Sequence, residues 1–180
     1  MAVVEDGSPE TPTRMSRRQL LVAGATGAVA VATGADLAEA ASASGYPKLH
    51  VIQLAKLRPN RPVAFDYPLG SQPSVLLDMG HAVPSGVGPK KSIVAYSVLC
   101  QHMGCPVKYQ PGVRAFVCPC HQSRYDPERL ASIVQGVAMQ PLPRVLLQVT
   151  NGGVWAVGVD GLIYGYRNNL HPGALAGGAT

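Results

Sequence analysis

The chain has 180 residues, 47% hydrophobic and 14% charged, with 20 Gly, 16 Pro and four Cys. That size fits one domain with an inserted lobe, and the Gly and Pro content fits short strands and many turns. From residue 41 onward twelve Lys/Arg face five Asp/Glu, a balance suited to an acidic partner; no basic run is interleaved with aromatics, which argues against nucleic acid.

Residues 1–43 differ from the rest. In "MSRRQLLVAGATGAVAVATGADLAEA" the pair Arg17 and Arg18 precedes an uncharged stretch from Gln19 to Ala35, and Ala38 and Ala40 offer an A-x-A cleavage site. This is the layout of an export signal. "SRRQLL" is similar to the twin-arginine type, with Leu20 where Phe is usual. An ordinary secretory signal and a retained anchor helix are the competing readings. Gly and Thr at 24, 26, 27, 33 and 34 dilute a segment already near the minimum spanning length. No stable membrane span is therefore expected after processing. The destination implied is the periplasm, reached by a protein folded before export.

The remainder, 44–180, reads as all-β. Strands are expected at about 48–54, 74–80 and 92–99, the last a continuous apolar run that suits burial on both faces. Further strands are expected at 144–149, 154–159 and 162–166. Asn151-Gly152 and Asp160-Gly161 separate these three and supply the positive φ angles that tight hairpins need, so an antiparallel meander is expected. No long amphipathic helix is expected, and 132–139 suggests a short irregular turn. Lys90-Lys91 reads as a solvated loop, and Met79 and Met139 as core or loop-packing residues.

Between the strands at 92–99 and 144–149 lies an insertion, about 97–142, that holds all four cysteines and two of the five histidines. Insertions on a β scaffold are where function usually sits. The residues form two knots, Cys100-x-His102 and Cys118-x-x-His121. In each the cysteine comes first, so two facing loops would pair thiolate with thiolate and imidazole with imidazole. A single zinc ion could use all four ligands without needing that segregation. A binuclear iron–sulfur cluster does need it, one iron taking two thiolates and the other two imidazoles. Cys105 and Cys120 are left over. Facing loops would bring them close, and a disulfide clamping the loops is the economical assignment, one that needs an oxidising compartment. A structural zinc site, or two plain disulfides beside bystander histidines, are the other readings. His50, His81 and His171 lie outside both knots and are read as uninvolved, and Trp155 as packing.

C-x-H-x-G-C (100–105) and C-P-C-H-x-S-x-Y (118–125) resemble the two boxes of the Rieske iron–sulfur proteins. The resemblance implies an antiparallel β-sandwich or barrel with an inserted cluster-binding subdomain, and a [2Fe-2S] cofactor. By position it implies Cys100, His102, Cys118 and His121 as ligands, Cys105 and Cys120 as the disulfide, and Ser123 and Tyr125 as donors to a cluster sulfide and a ligand sulfur. The family commonly has Gly where this chain has Gln122, which implies a Gly-like backbone there. "GVAM" (136–139) stands where respiratory members carry Gly-Pro-Ala-Pro.

Replacing two thiolates by neutral imidazoles makes the cluster less negative and easier to reduce. Such sites span about −150 to +300 mV, against about −400 mV for plant-type clusters. The disulfide, Ser123 and Tyr125 suggest the upper part of that range, and the histidines, second in each box, are expected at the loop tips. The stretches 86–107 and 141–170 also resemble the small subunit of arsenite oxidase. That likeness implies a non-catalytic electron-transfer subunit, with a molybdopterin-containing large subunit as donor and a cytochrome c or copper protein as acceptor. The alternatives are the Rieske subunit of a cytochrome bc complex, an oxygenase-type ferredoxin and a zinc-stabilised interaction domain.

Overall fold

The computed structural model describes residues 45–171; the expected leader, with Arg17 and Arg18, lies outside the described residues. In chain order the strands are β1 (Leu49–Gln53), β2 (Val63–Asp66), β3 (Pro73–Asp78), β4 (Ile93–Ser97) and β5 (Lys108–Gln110), then β6 (Ala115–Val117), β7 (Arg124–Asp126), β8 (Ser132–Gln135), β9 (Arg144–Thr150) and β10 (Gly153–Asp160). Among the described residues there is no α-helix, only 3₁₀ turns at Leu54–Lys56 and Pro127–Arg129.

Two antiparallel sheets result. The larger has the order β1-β10-β9-β4-β3-β2 and the smaller β5-β6-β7-β8. All six strands of the larger sheet contribute to one core around Leu76, Ile93, Ala95, Val145, Leu147, Val154 and Ala156, with Val51 and Phe65 packed on it from the two edge strands. A single sheet that lines one core from edge to edge must curl around it. Its two ends are tied where the Tyr67 hydroxyl donates to the Pro47 carbonyl at 2.8 Å.

Strand β4 is buried along its whole length, as its unbroken apolar run suggests. Ile93 and Ala95 face the core of the large sheet. Val94, Tyr96 and Val98 face the other way, into a second core with Phe116, Tyr125, Cys100 and Cys118. The alternation of side chains along a strand thus lets β4 serve both cores. The small sheet contributes the register row Tyr109, Phe116, Tyr125, Ile133, all turned into that second core. Tyr96 secures the junction, its buried hydroxyl donating to the Pro127 carbonyl at 2.9 Å.

The β9–β10 turn has Asn151 and Gly152 at φ 50° and 70°, the pair of positive angles that a tight hairpin requires. The strand expected over 162–166 does not form. After β10 the chain turns at Gly161 (φ 95°), and Gly165 (φ 84°) interrupts the alternation of "LIYGY". The second neighbour of β10 is β1, so the expected three-strand meander is a hairpin extended by the first strand. Likewise β8 takes the first half of 132–139, and only the stretch from Gly136 onward is irregular. Met79 is in the core, but Met139 is 85% exposed. Its neighbour Ala138 takes the inward position of this segment, so the packing role expected of Met139 is not observed.

Candidate metal centre

Two turns with the same hydrogen bonding carry the Cys/His knots. In loop 1, between β4 and β5, Cys100 N donates to Cys105 O (3.0 Å) and Gly104 N to Cys100 O (2.8 Å). In loop 2, between β6 and β7, Cys118 N donates to Ser123 O (2.8 Å) and Gln122 N to Cys118 O (3.1 Å). Both turns need a positive φ at the fifth residue, supplied by Gly104 at 73° and Gln122 at 57°. Gln122 thus adopts the Gly-like conformation that its place in the box implied.

The loops are cross-linked by a Cys105–Cys120 disulfide. Cys100 and Cys118 remain free thiols, each 1% exposed in the core below the loops. The sulfur of Cys118 lies within 4.8 Å of both disulfide sulfurs, but those two are already bonded and have no thiolate to offer. Outward of the thiols, the His102 and His121 rings meet edge to face with centroids 4.8 Å apart; His102 is half-buried and His121 exposed. The two cysteines are thus buried and the two imidazoles, in contact with each other, lie nearer the surface.

The supporting polar groups are close by. The Tyr125 hydroxyl lies 3.1 Å from Cys100 Sγ and accepts from Gln101 N at 3.2 Å. Burial, then the hydrogen bond and charge of Cys100, push the Tyr125 phenol well above its ordinary pKa, so it keeps the proton that a thiolate would accept. Ser123 is fully buried, and its Oγ accepts from Ala138 N at 3.1 Å. That bond leaves the Ser123 proton free for another acceptor. Sequence reasoning missed Gly136. A Cβ there would lie 2.5 Å from Ser123 Cα and 2.8 Å from its Oγ, so only glycine lets the 136–139 loop press against Ser123. Its signal was a lone Gly directly after a strand.

A polar cluster ties the small sheet to the segment after β3. Glu128, just after β7, accepts from Arg114 Nε at 2.8 Å and lies 3.3 Å from His81 Nε2. Arg114 Nη2 also donates to Met79 O at 2.8 Å. Three separate segments converge there. Of the histidines outside the knots, His81 serves this brace, and His50 packs edge-on to Trp155 with centroids 4.9 Å apart.

Two buried free thiols, two adjacent outer imidazoles and a phenol beside one thiol are the donor types that a binuclear cluster held asymmetrically needs. Buried thiolates without such a partner would be costly in this apolar core. The fold and this donor set define a Rieske-type iron–sulfur protein. The family model for the Rieske [2Fe-2S] domain matches residues 49–146, and the chain belongs to that family, whose cofactor is the [2Fe-2S] cluster. It is 35% identical over 164 residues to "Iodate reductase subunit IdrB" of Denitromonas iodatirespirans, covering 86% of each chain. To the protein of the same name from Pseudomonas sp. (strain SCT) it is 30% identical over 167 residues, covering 88% of this chain and 87% of that one. Among solved structures it is similar to the soluble domain of the Rieske protein II (soxF) from Sulfolobus acidocaldarius, with TM-score 0.60 and 25% identity over 69% of this chain and 83% of that one.

Proposed function

We propose that this chain is the electron-transfer subunit of an oxidoreductase whose substrate site lies on a separate, molybdopterin-containing large subunit. Cys100 and Cys118 would hold one iron and His102 and His121 the other. When bound, the cluster takes up and releases one electron at a time. The chain's own groups do the rest. Tyr125 donates to the Cys100 sulfur and Ser123 offers its proton nearby, both favouring the extra negative charge of the reduced form. The disulfide fixes the spacing of the loops, and the core under β4 keeps water from the thiolates. The outer imidazoles are the parts of the site open to a partner. The observation that carries this reading is the likeness to the iodate reductase subunit across nearly the whole of both chains.

Two resemblances bear on the large subunit's substrate. The named relatives favour iodate as the oxidant, electrons then running from this chain to the large subunit. The stretches 86–107 and 141–170 favour an arsenite-oxidising partner, electrons then passing from large subunit to this chain and on to a cytochrome c or copper protein. The test is co-purification from the native host with metal analysis and assays of both reactions. A large molybdenum protein and one of these two activities are expected. Retention with a membrane-bound cytochrome b would instead favour quinol oxidation. Arg17-Arg18 points to twin-arginine export and the periplasm. Replacing both by Lys should leave the protein in the cytoplasm, measured by fractionation. Among the described residues, no helix is long and apolar enough to cross a membrane.

A further inference from the structure

The segment after β10 leaves the sheet and is tied into a fixed loop. Asn169, 6% exposed, accepts from Ile163 N through Oδ1 at 2.9 Å. Its Nδ2 donates to Gly161 O at 2.8 Å and to the Tyr46 hydroxyl at 3.0 Å. Its backbone carbonyl accepts from Gln72 Nε2 at 3.0 Å, and Ile163 is fully buried. One asparagine and one core side chain thus anchor both ends of a short span, and Tyr164 stands on it.

The ring of Tyr164 lies against Gly104. A Cβ built on Gly104 would be 2.6 Å from Tyr164 Cδ1 and 2.9 Å from Cε1, so the ring covers the backbone of loop 1 at the turn that carries Cys100 and His102. The contacting atoms are ring carbons, which makes the ring and not the hydroxyl responsible. Tyr164 also lines a cleft together with Gln101 and Leu142. At the matching position of loop 2, Gln122 is exposed. The two loops are therefore supported differently: loop 2 by the 136–139 segment against Ser123, loop 1 by the Tyr164 ring.

We propose that Tyr164 is a positioning residue for the cluster, its ring clamping loop 1 so that Cys100 and His102 keep their geometry and the cleft stays closed to Gly104. The proposal rests on the assignment of Cys100, His102, Cys118 and His121 as ligands. Without the ring, water already at Gln101 would also reach the backbone of Gly104, whose N–H binds the Cys100 carbonyl, and stabilise added negative charge.

The test uses the cluster-loaded protein and its Y164F, Y164A, G104A and G104A/Y164A variants. The readouts are the electron paramagnetic resonance spectrum of the reduced protein, the midpoint potential and the rate of cluster loss to a chelator. Y164F should match the wild type. Y164A should lose the cluster roughly five- to thirtyfold faster, with a raised potential and an altered spectrum. G104A should be the most damaged single variant, and G104A/Y164A should recover part of its cluster retention, because the clash is gone. Y164A indistinguishable from wild type, Y164F as damaged as Y164A, or G104A equally damaged with and without the ring would each overturn the proposal. A wild-type protein that binds no cluster would overturn the ligand assignment itself, and the clamp with it.

Discussion

Gly104 and Gln122 occupy the same station in two copies of one turn, each donating its N–H to the carbonyl of a free cysteine, yet only one of them is free to carry a side chain. At 104 the Tyr164 ring fills the space; at 122 the side chain is exposed. An L-residue in this conformation costs about 1–2 kcal/mol, part of which glycine returns through its larger unfolded-state entropy. Gln122→Gly should therefore leave stability unchanged or raise it by up to about 1 kcal/mol, whereas Gln122→Val should lower it by about 1–2 kcal/mol. Thermal unfolding of the cluster-loaded protein checks both.

Tyr125→Phe removes the hydroxyl 3.1 Å from Cys100 Sγ while keeping the ring in the core. A hydrogen bond donated to that sulfur is stronger in the reduced, more negative state, so its loss should lower the midpoint potential. If the two states differ by about 1 kcal/mol in that bond, the fall is about 40 mV on the one-electron scale. Protein-film voltammetry reads it directly. An unchanged potential would remove Tyr125 from the tuning of the site.

Reducing or deleting the Cys105–Cys120 bridge should loosen the loops without dismantling the core beneath. The bridge spans a sequence separation of 15, for which chain entropy gives about 3 kcal/mol. The Cys105→Ser/Cys120→Ser pair should lose its cluster at a lower temperature than the wild type, followed as bleaching of the visible absorption. Addition of a thiol reductant to the wild type should reproduce the effect.

The brace around Glu128 predicts an acid sensitivity. Burial acts against the carboxylate, but the hydrogen bonds and charges of Arg114 and His81 outweigh it and hold the pKa below the ordinary 4.5. A depressed folded-state value contributes stability that is present above the unfolded pKa and lost as pH falls through the folded one. The effect is modest because the pair is partly exposed and screened. Glu128→Gln should flatten the fall in thermal midpoint between about pH 5 and 3. A variant that falls as steeply as the wild type would show that the brace does not titrate with stability.

How far these features were readable from the sequence depended on their range. The continuous apolar run of β4 and the Asn151-Gly152 turn are local signals, and both read correctly. The cysteine spacing is also local, and the Cys105–Cys120 bridge expected from it is present. The strands of the small sheet have only three or four residues each, too few to show a period. "LIYGY" alternates like a strand, but positive φ at Gly165 within it and at Gly161 before it, and the bonds of the distant Asn169, decide its course. The pressure of Tyr164 on Gly104 and of the Gly136 loop on Ser123 joins residues far apart in the chain, which no spacing rule can announce.

Because every other side chain of β4 belongs to a different core, the strand acts as a common keel. Melting the upper half would bare Val94 and Tyr96 and drag at Ile93 and Ala95 from behind, so the two halves should unfold in a single cooperative event. Heat or denaturant should thus bleach the chromophore and erase the β-sheet circular dichroism at one shared midpoint.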